Sequence, residues 1–160
     1  MDFNTAFDRL IGNEGGYVNN PSDPGGETNW GISKRSYPTV DILNLTRDGA
    51  KAIYLRDFWQ AGQMDKINPA VAFQAFDFAV NSGMQTALRK LQAAVGVADD
   101  GNIGSVSLSA INVMEPAKVI MLYVAERLDF WRCLSTWDSF SVDWAGRAAA
   151  DLRYGAGDIT

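Results

Sequence analysis

The sequence predicts a mainly α protein with one small loop or β-hairpin region, at 16–32, directly after the first helix. Three observations lead there. Apolar residues recur at helical spacing through most of the chain. Helix-start signals stand at Thr46, at Asn68-Pro69 and at Glu115-Pro116. The exception is Asn19-Asn20-Pro21-Ser22-Asp23-Pro24-Gly25-Gly26-Glu27-Thr28-Asn29-Trp30-Gly31, whose Asn, Pro, Asp and Gly content reads as turns joined by very short strands.

The first helix is predicted from Phe3, Phe7, Leu10 and Ile11. Gly15-Gly16 is expected to end it, because glycine takes the left-handed conformation common just past a helix. Glu14 would then occupy the last turn, where the negative end of the helix dipole and apolar Leu10 and Ile11 disfavour an anion. A carboxylic acid that keeps its proton is what general-acid catalysis near neutral pH requires. The turn-rich loop can carry Asp23, Glu27 or Thr28 back towards it. Two carboxyl groups flanking a gap, one protonated and one ionised, are the working parts of most glycoside hydrolases.

Glu14-Gly15-Gly16-Tyr17, followed by Asp23-Pro24-Gly25-Gly26-Glu27-Thr28-Asn29-Trp30-Gly31-Ile32, resembles the signature of glycoside hydrolase family 108. These are N-acetylmuramidases, found as phage endolysins and as secretion-assisting bacterial lysozymes. The order Glu, Asp, Thr is similar to that of the phage-type lysozymes, with a shorter Asp-to-Thr gap. The resemblance implies a lysozyme-like helical fold and peptidoglycan as substrate, cleaved at the β-1,4 bond between N-acetylmuramic acid and N-acetylglucosamine. It implies Glu14 as the catalytic acid and offers Asp23 and Thr28 as catalytic candidates. Tyr17, Glu27, Asn29 and Trp30 in the same motif are expected to line the substrate site. Inversion, with carboxyls about 6.5–9.5 Å apart, and retention, at about 5 Å, both stay open, with Glu27 as the alternative second carboxylate. A lytic transglycosylase and a non-catalytic wall-binding or secretion-accessory protein are the alternative functions.

A helix after Thr46 carries Ala50, Ile53, Tyr54, Asp57 and Phe58, with Trp59 closing the apolar set. Tyr54 and Trp59 are candidates for stacking on sugar faces. The segment Ala70 to Val80 has apolar residues on several sides and reads as a buried helix, interrupted by Asp77 and Asn81 one turn apart. Such a polar stripe belongs either to a structural hydrogen-bond network or to a substrate contact. The run Asp77 to Gly83 is similar to a second motif of the same family.

Leu91-Gln92, the Asp100-Gly101 turn and Gly104 resemble a small peptidoglycan-binding module, with Ser105 and Ser107 in place of its usual proline and threonine. The expected organisation is a muramidase region at 1–90 and a peptidoglycan-binding-like helical region at 91–160, packed as one compact unit. The helix from Glu115-Pro116 to about Ser135 is expected to be the longest and the central packing element. A last helix from Trp137 to Tyr154, with Trp144 and Leu152 inward, is expected to end in a frayed Gly155–Asp158 tail.

With 160 residues, 47% of them hydrophobic, the chain can bury a sizeable core. Its net charge of −5 gives no basic surplus to neutralise phosphates, so a nucleic-acid partner is not expected. The absence of histidine excludes Ser-His-Asp and Cys-His catalysis and His-containing zinc sites. No cofactor or metal is expected. Cys133 is the single cysteine; it is expected to be a buried structural thiol. No signal peptide and no membrane insertion are expected. The protein would be made in the cytoplasm and reach the wall through a holin pore or a secretion step, acting there as a monomer.

Overall fold

A computed structural model describes residues 1–12, 16–19 and 26–159. The described residues contain seven α-helices and one two-stranded antiparallel sheet, the mainly α, lysozyme-like class expected from the sequence. The chain divides into two compact units, Phe3–Asp57 and Phe58–Thr160, with Met1–Asp2 counted in the second. Positions 90 and 91, where the two regions expected from the sequence meet, lie in the helix Met84–Ala94. No single helix among the described residues is long and apolar enough to cross a membrane.

In the first unit, α1 (Phe3–Ile11) buries Ala6, Phe7 and Ile11. Its end differs from expectation. Gly12, at φ 57°, is the left-handed residue, and its N–H donates to the Asp8 carbonyl at 2.9 Å. The helix stops there because Gly12 is the first residue that can leave it without a Cβ penalty. The last-turn position expected for Glu14 lies outside the described residues. Strands β1 (Thr28–Asn29) and β2 (Ile32–Ser33) pair with Thr28 opposite Ser33 and Asn29 opposite Ile32. Helix α2 (Arg47–Tyr54) starts at Thr46 as predicted, the Thr46 hydroxyl accepting from the Gly49 N–H at 3.1 Å. A π-helical stretch, Leu55–Gln60, continues it.

The second unit is built on α3 (Pro69–Ser82), in which every residue from Ala70 to Ala79 is buried. Asn68 caps it through a 3.0 Å bond from the Ala70 N–H, with Pro69 in the first turn as the sequence predicts. Around it pack α4 (Met84–Ala94), α6 (Pro116–Arg132) and α7 (Trp137–Asp158). Helix α5 (Ser105–Val113) packs on α4 across the Asp100-Gly101 turn. Gln92, 1% exposed, ties that turn together. Its amide nitrogen donates to Asp100 and Ser107, and its oxygen accepts from the Gly101 N–H at 2.7 Å.

Four expectations are corrected here. The longest helix is α7, with 22 residues against 17 for α6. Its C-terminal turn is helical to Asp158, with Gly155 buried closely against the Ile120 side chain. Leu152 is exposed rather than inward, and the inward positions of α6 belong to Val119, Ile120, Tyr123, Val124, Arg127 and Trp131. Cys133 is exposed, since it follows the last turn of α6 and caps it rather than sitting on its inner face.

Candidate active site

Thr28 is paired on both sides in the hairpin region. Its N–H donates to the Val18 carbonyl and its carbonyl accepts from the Val18 N–H, both at 2.8 Å, while β2 pairs on its other side. Among the described residues its hydroxyl makes a long contact, 3.4 Å, to the Gly26 carbonyl, which leaves it capacity for a further partner. Beside it the Tyr17 hydroxyl donates to Glu27 Oε1 at 2.8 Å. That bond, then burial and the Glu27 charge, raise the Tyr17 pKa. The Val18–Thr28 pair closes the chain upon itself, and Asp23 lies in sequence midway between them. Asp23, like Glu14, falls outside the described residues.

The β1–β2 turn is Trp30-Gly31, both at positive φ (51° and 76°), the geometry of a two-residue hairpin turn that Asn-Gly usually fills. A tryptophan in that region is strained, at a cost of order 1–2 kcal/mol. Four bonds hold it. The Trp30 indole N–H donates to the Leu45 carbonyl at 3.1 Å, the Tyr54 hydroxyl donates to the Trp30 carbonyl at 3.3 Å, and the Asn29 amide donates to the carbonyls of Ile42 and Leu45. A Cβ on Gly31 would collide with the Tyr54 hydroxyl. Asn29, Trp30 and Tyr54 thus fix the turn. Asn29 and Tyr54 are buried, and Tyr54, against Phe7, has no open face for a sugar to stack on.

The remaining candidates lie in the second unit. Trp59 is buried, its indole N–H donating to Asp65 at 2.6 Å and its ring edge-on to Phe76, so it too lacks a free stacking face. Asn81 is exposed and accepts from the Ser82 hydroxyl. Asp77 is buried in a network that joins three helices. Arg147 donates to both of its carboxylate oxygens, and Arg127 donates to Asp77 at 2.6 Å and to Asp151 at 2.5 Å. The Arg127 guanidinium also lies over the rings of Phe78 and Trp131. Burial pushes the Asp77 pKa up, but the Arg147 bonds and the charge of Arg127 outweigh it and the pKa is lowered. Asp151 goes the other way: burial, then the negative charge of Asp77, push it up to about 7 against the pull of Arg127. Sequence reasoning found Asp77 but missed Arg127 and Asp151. The available signal was Arg127 itself, a cation at the inward spacing set by Tyr123, Val124 and Trp131. Among the described residues no group of three or more acidic or thiol side chains is placed to hold a metal ion.

Two comparisons bear on this arrangement. The glycosyl hydrolase 108 family matches residues 7–83, which run from α1 through the hairpin to the end of α3. The fold superposes on Brucella abortus SagA with a TM-score of 0.89 and 30% sequence identity, over 98% of this chain and 95% of that one. The chain belongs to the glycosyl hydrolase 108 family. It is accordingly a peptidoglycan hydrolase of the glycoside hydrolase class. No curated protein sequence matches it. The family match takes in both strands, the strained Trp30-Gly31 turn and Asp77, while Arg127, Arg147 and Asp151 lie beyond it.

Proposed function

We propose that this glycosyl hydrolase 108 protein is an N-acetylmuramidase that hydrolyses the β-1,4 bond between N-acetylmuramic acid and N-acetylglucosamine. Glu14, as the carboxylic acid, gives its proton to the glycosidic oxygen as the bond to the muramic acid C1 breaks. Asp23, as the carboxylate, takes a proton from the water that attacks C1, so one water is consumed and no covalent intermediate forms. Thr28 holds that water. Glu27, engaged by Tyr17, braces the hairpin.

The observation that carries this reading is the Val18–Thr28 bridge. It holds Val18 beside Thr28, and Asp23 lies between these two in sequence, which supports a base and a water-holding hydroxyl from one stretch of chain. Direct water attack predicts inversion at C1. Asp77 takes no part in the chemistry, because both its oxygens are committed to the guanidiniums of buried Arg127 and half-buried Arg147.

The test compares Glu14→Gln with Asp23→Asn in turbidity loss of purified walls, with circular dichroism and melting temperature as folding controls. Glu14→Gln should lower the rate by about 10²–10⁴-fold or more. Asp23→Asn should also lower turnover, with little change in melting temperature. A well-folded Glu14→Gln protein with wild-type lysis would refute the assignment.

A further inference from the structure

Tyr54 bears on the β1–β2 turn from outside it. It ends α2, in the same compact unit as the hairpin, and its buried ring packs on Phe7 with centroids 5.6 Å apart. Its hydroxyl donates to the Trp30 carbonyl at 3.3 Å and lies so close to Gly31 that a Cβ there would overlap it. The Trp30 carbonyl belongs to the central peptide of the turn. In a two-residue hairpin loop the orientation of that peptide separates one turn type from another. A hydroxyl carried on a packed helix thus fixes the plane of the peptide that decides how the two strands meet.

The sheet has little of its own to hold that geometry. Each strand has two residues, Thr28 opposite Ser33 and Asn29 opposite Ile32, so few ladder bonds resist a slip. Trp30, at φ 51°, stands in a conformation that a tryptophan disfavours, so the turn's own preference works against the observed register. The Asn29 amide and the Trp30 indole are tied to the carbonyls of Ile42 and Leu45, which lie in a loop. Tyr54 supplies the tie to a helix. Side chains alternate between the faces of a strand, so a one-residue slip would turn the Thr28 hydroxyl to the opposite face.

We propose that Tyr54 is a positioning residue for the hydrolysis: through the Trp30 peptide it sets the hairpin register that aims the Thr28 hydroxyl. The inference rests on the water-holding role proposed for Thr28.

The test measures kcat and KM on purified walls for Tyr54→Phe, Thr28→Val and the double variant, with circular dichroism as the folding control. Phenylalanine keeps the ring on Phe7, and valine keeps the branched shape and strand preference of threonine. Tyr54→Phe removes one hydrogen bond from the turn and should lower kcat by about 3- to 10-fold. KM should stay within about twofold, because a hydroxyl that holds the attacking water acts on the transition state. In the Thr28→Val background the same substitution should lower kcat no further, since no hydroxyl is left to misaim. A packing role alone would lower stability and leave the kcat of the folded protein unchanged. A Tyr54→Phe protein with wild-type kcat, or one that loses the same factor in both backgrounds, would overturn the inference and leave the Thr28 role standing. Wild-type kcat in Thr28→Val would remove that role and the inference with it.

Discussion

Asp77 and Asp151, on different helices, share one buried guanidinium: Arg127 reaches the first at 2.6 Å and the second at 2.5 Å. Arg147 then completes the coordination of Asp77. Taking these charges out of water is costly, and their mutual bonds offset that cost only while all partners remain. Asp77→Asn should therefore lower stability by about 3–5 kcal/mol, because it leaves two guanidiniums facing a single carboxyl group. Urea unfolding measures it. A loss of turnover with unchanged stability would instead place Asp77 at the reaction centre.

The same network sets a pH dependence. Asp151 has its folded pKa raised to about 7, so its contribution is fully present below the unfolded value near 4 and is lost as pH rises through 7. Over that window the loss is up to about 4 kcal/mol, from roughly three pKa units at 1.36 kcal/mol each. Asp77, with its pKa lowered, acts oppositely, and its contribution disappears as pH falls below about 4. Stability should peak near about pH 4–5. In Asp151→Asn the decline between about pH 4 and 7 should largely vanish. An identical decline in the variant would assign it to other groups.

At the hairpin, Gly31 and Tyr54 should be energetically coupled. Gly31→Ala forces a Cβ into positive φ and into the Tyr54 hydroxyl, and should cost about 2 kcal/mol or more. Tyr54→Phe removes the bond to the Trp30 carbonyl, at about 1 kcal/mol. In the double variant the collision is relieved, so the two costs should sum to more than the measured loss. Strict additivity in thermal unfolding would contradict the packing described for this turn.

The exposed thiol of Cys133 gives a simple check on the end of α6. It should react with an aromatic disulfide reagent in the native protein at a rate close to that in denaturant. Cys133→Ser should change stability by less than about 0.5 kcal/mol. A native thiol that reacts only after unfolding would show it to be buried.

Local signals in the sequence located most elements. Thr46, Asn68-Pro69 and Glu115-Pro116 mark helix starts because a cap acts on N–H groups two or three residues away. What escaped depends on distant partners. The Asp77 ligands lie 50 and 70 residues further on, on helices whose rotation about their axes the sequence does not fix. Leu10, Ile11, Glu14, Gly15 and Gly16 suggested a helix running to Glu14, but Gly12 had already supplied the left-handed exit. Tyr54 and Trp59 read as sugar platforms because amphipathic aromatics look alike in sequence, and only packing against Phe7 and Phe76 separates a braced ring from an open one.

The most direct test of the proposed reaction is the chemistry of the new chain end. Purified peptidoglycan is digested to completion with the wild-type protein, the products are reduced with borohydride, and the terminal amino sugar is identified by mass spectrometry. Hydrolysis by an N-acetylmuramidase leaves muramic acid at the reducing end, so muramitol should appear in proportion to the bonds cut and be absent from a Glu14→Gln digest. Glucosaminitol in its place, 1,6-anhydromuramic acid that resists reduction, or the same muramitol yield from Glu14→Gln would contradict the account.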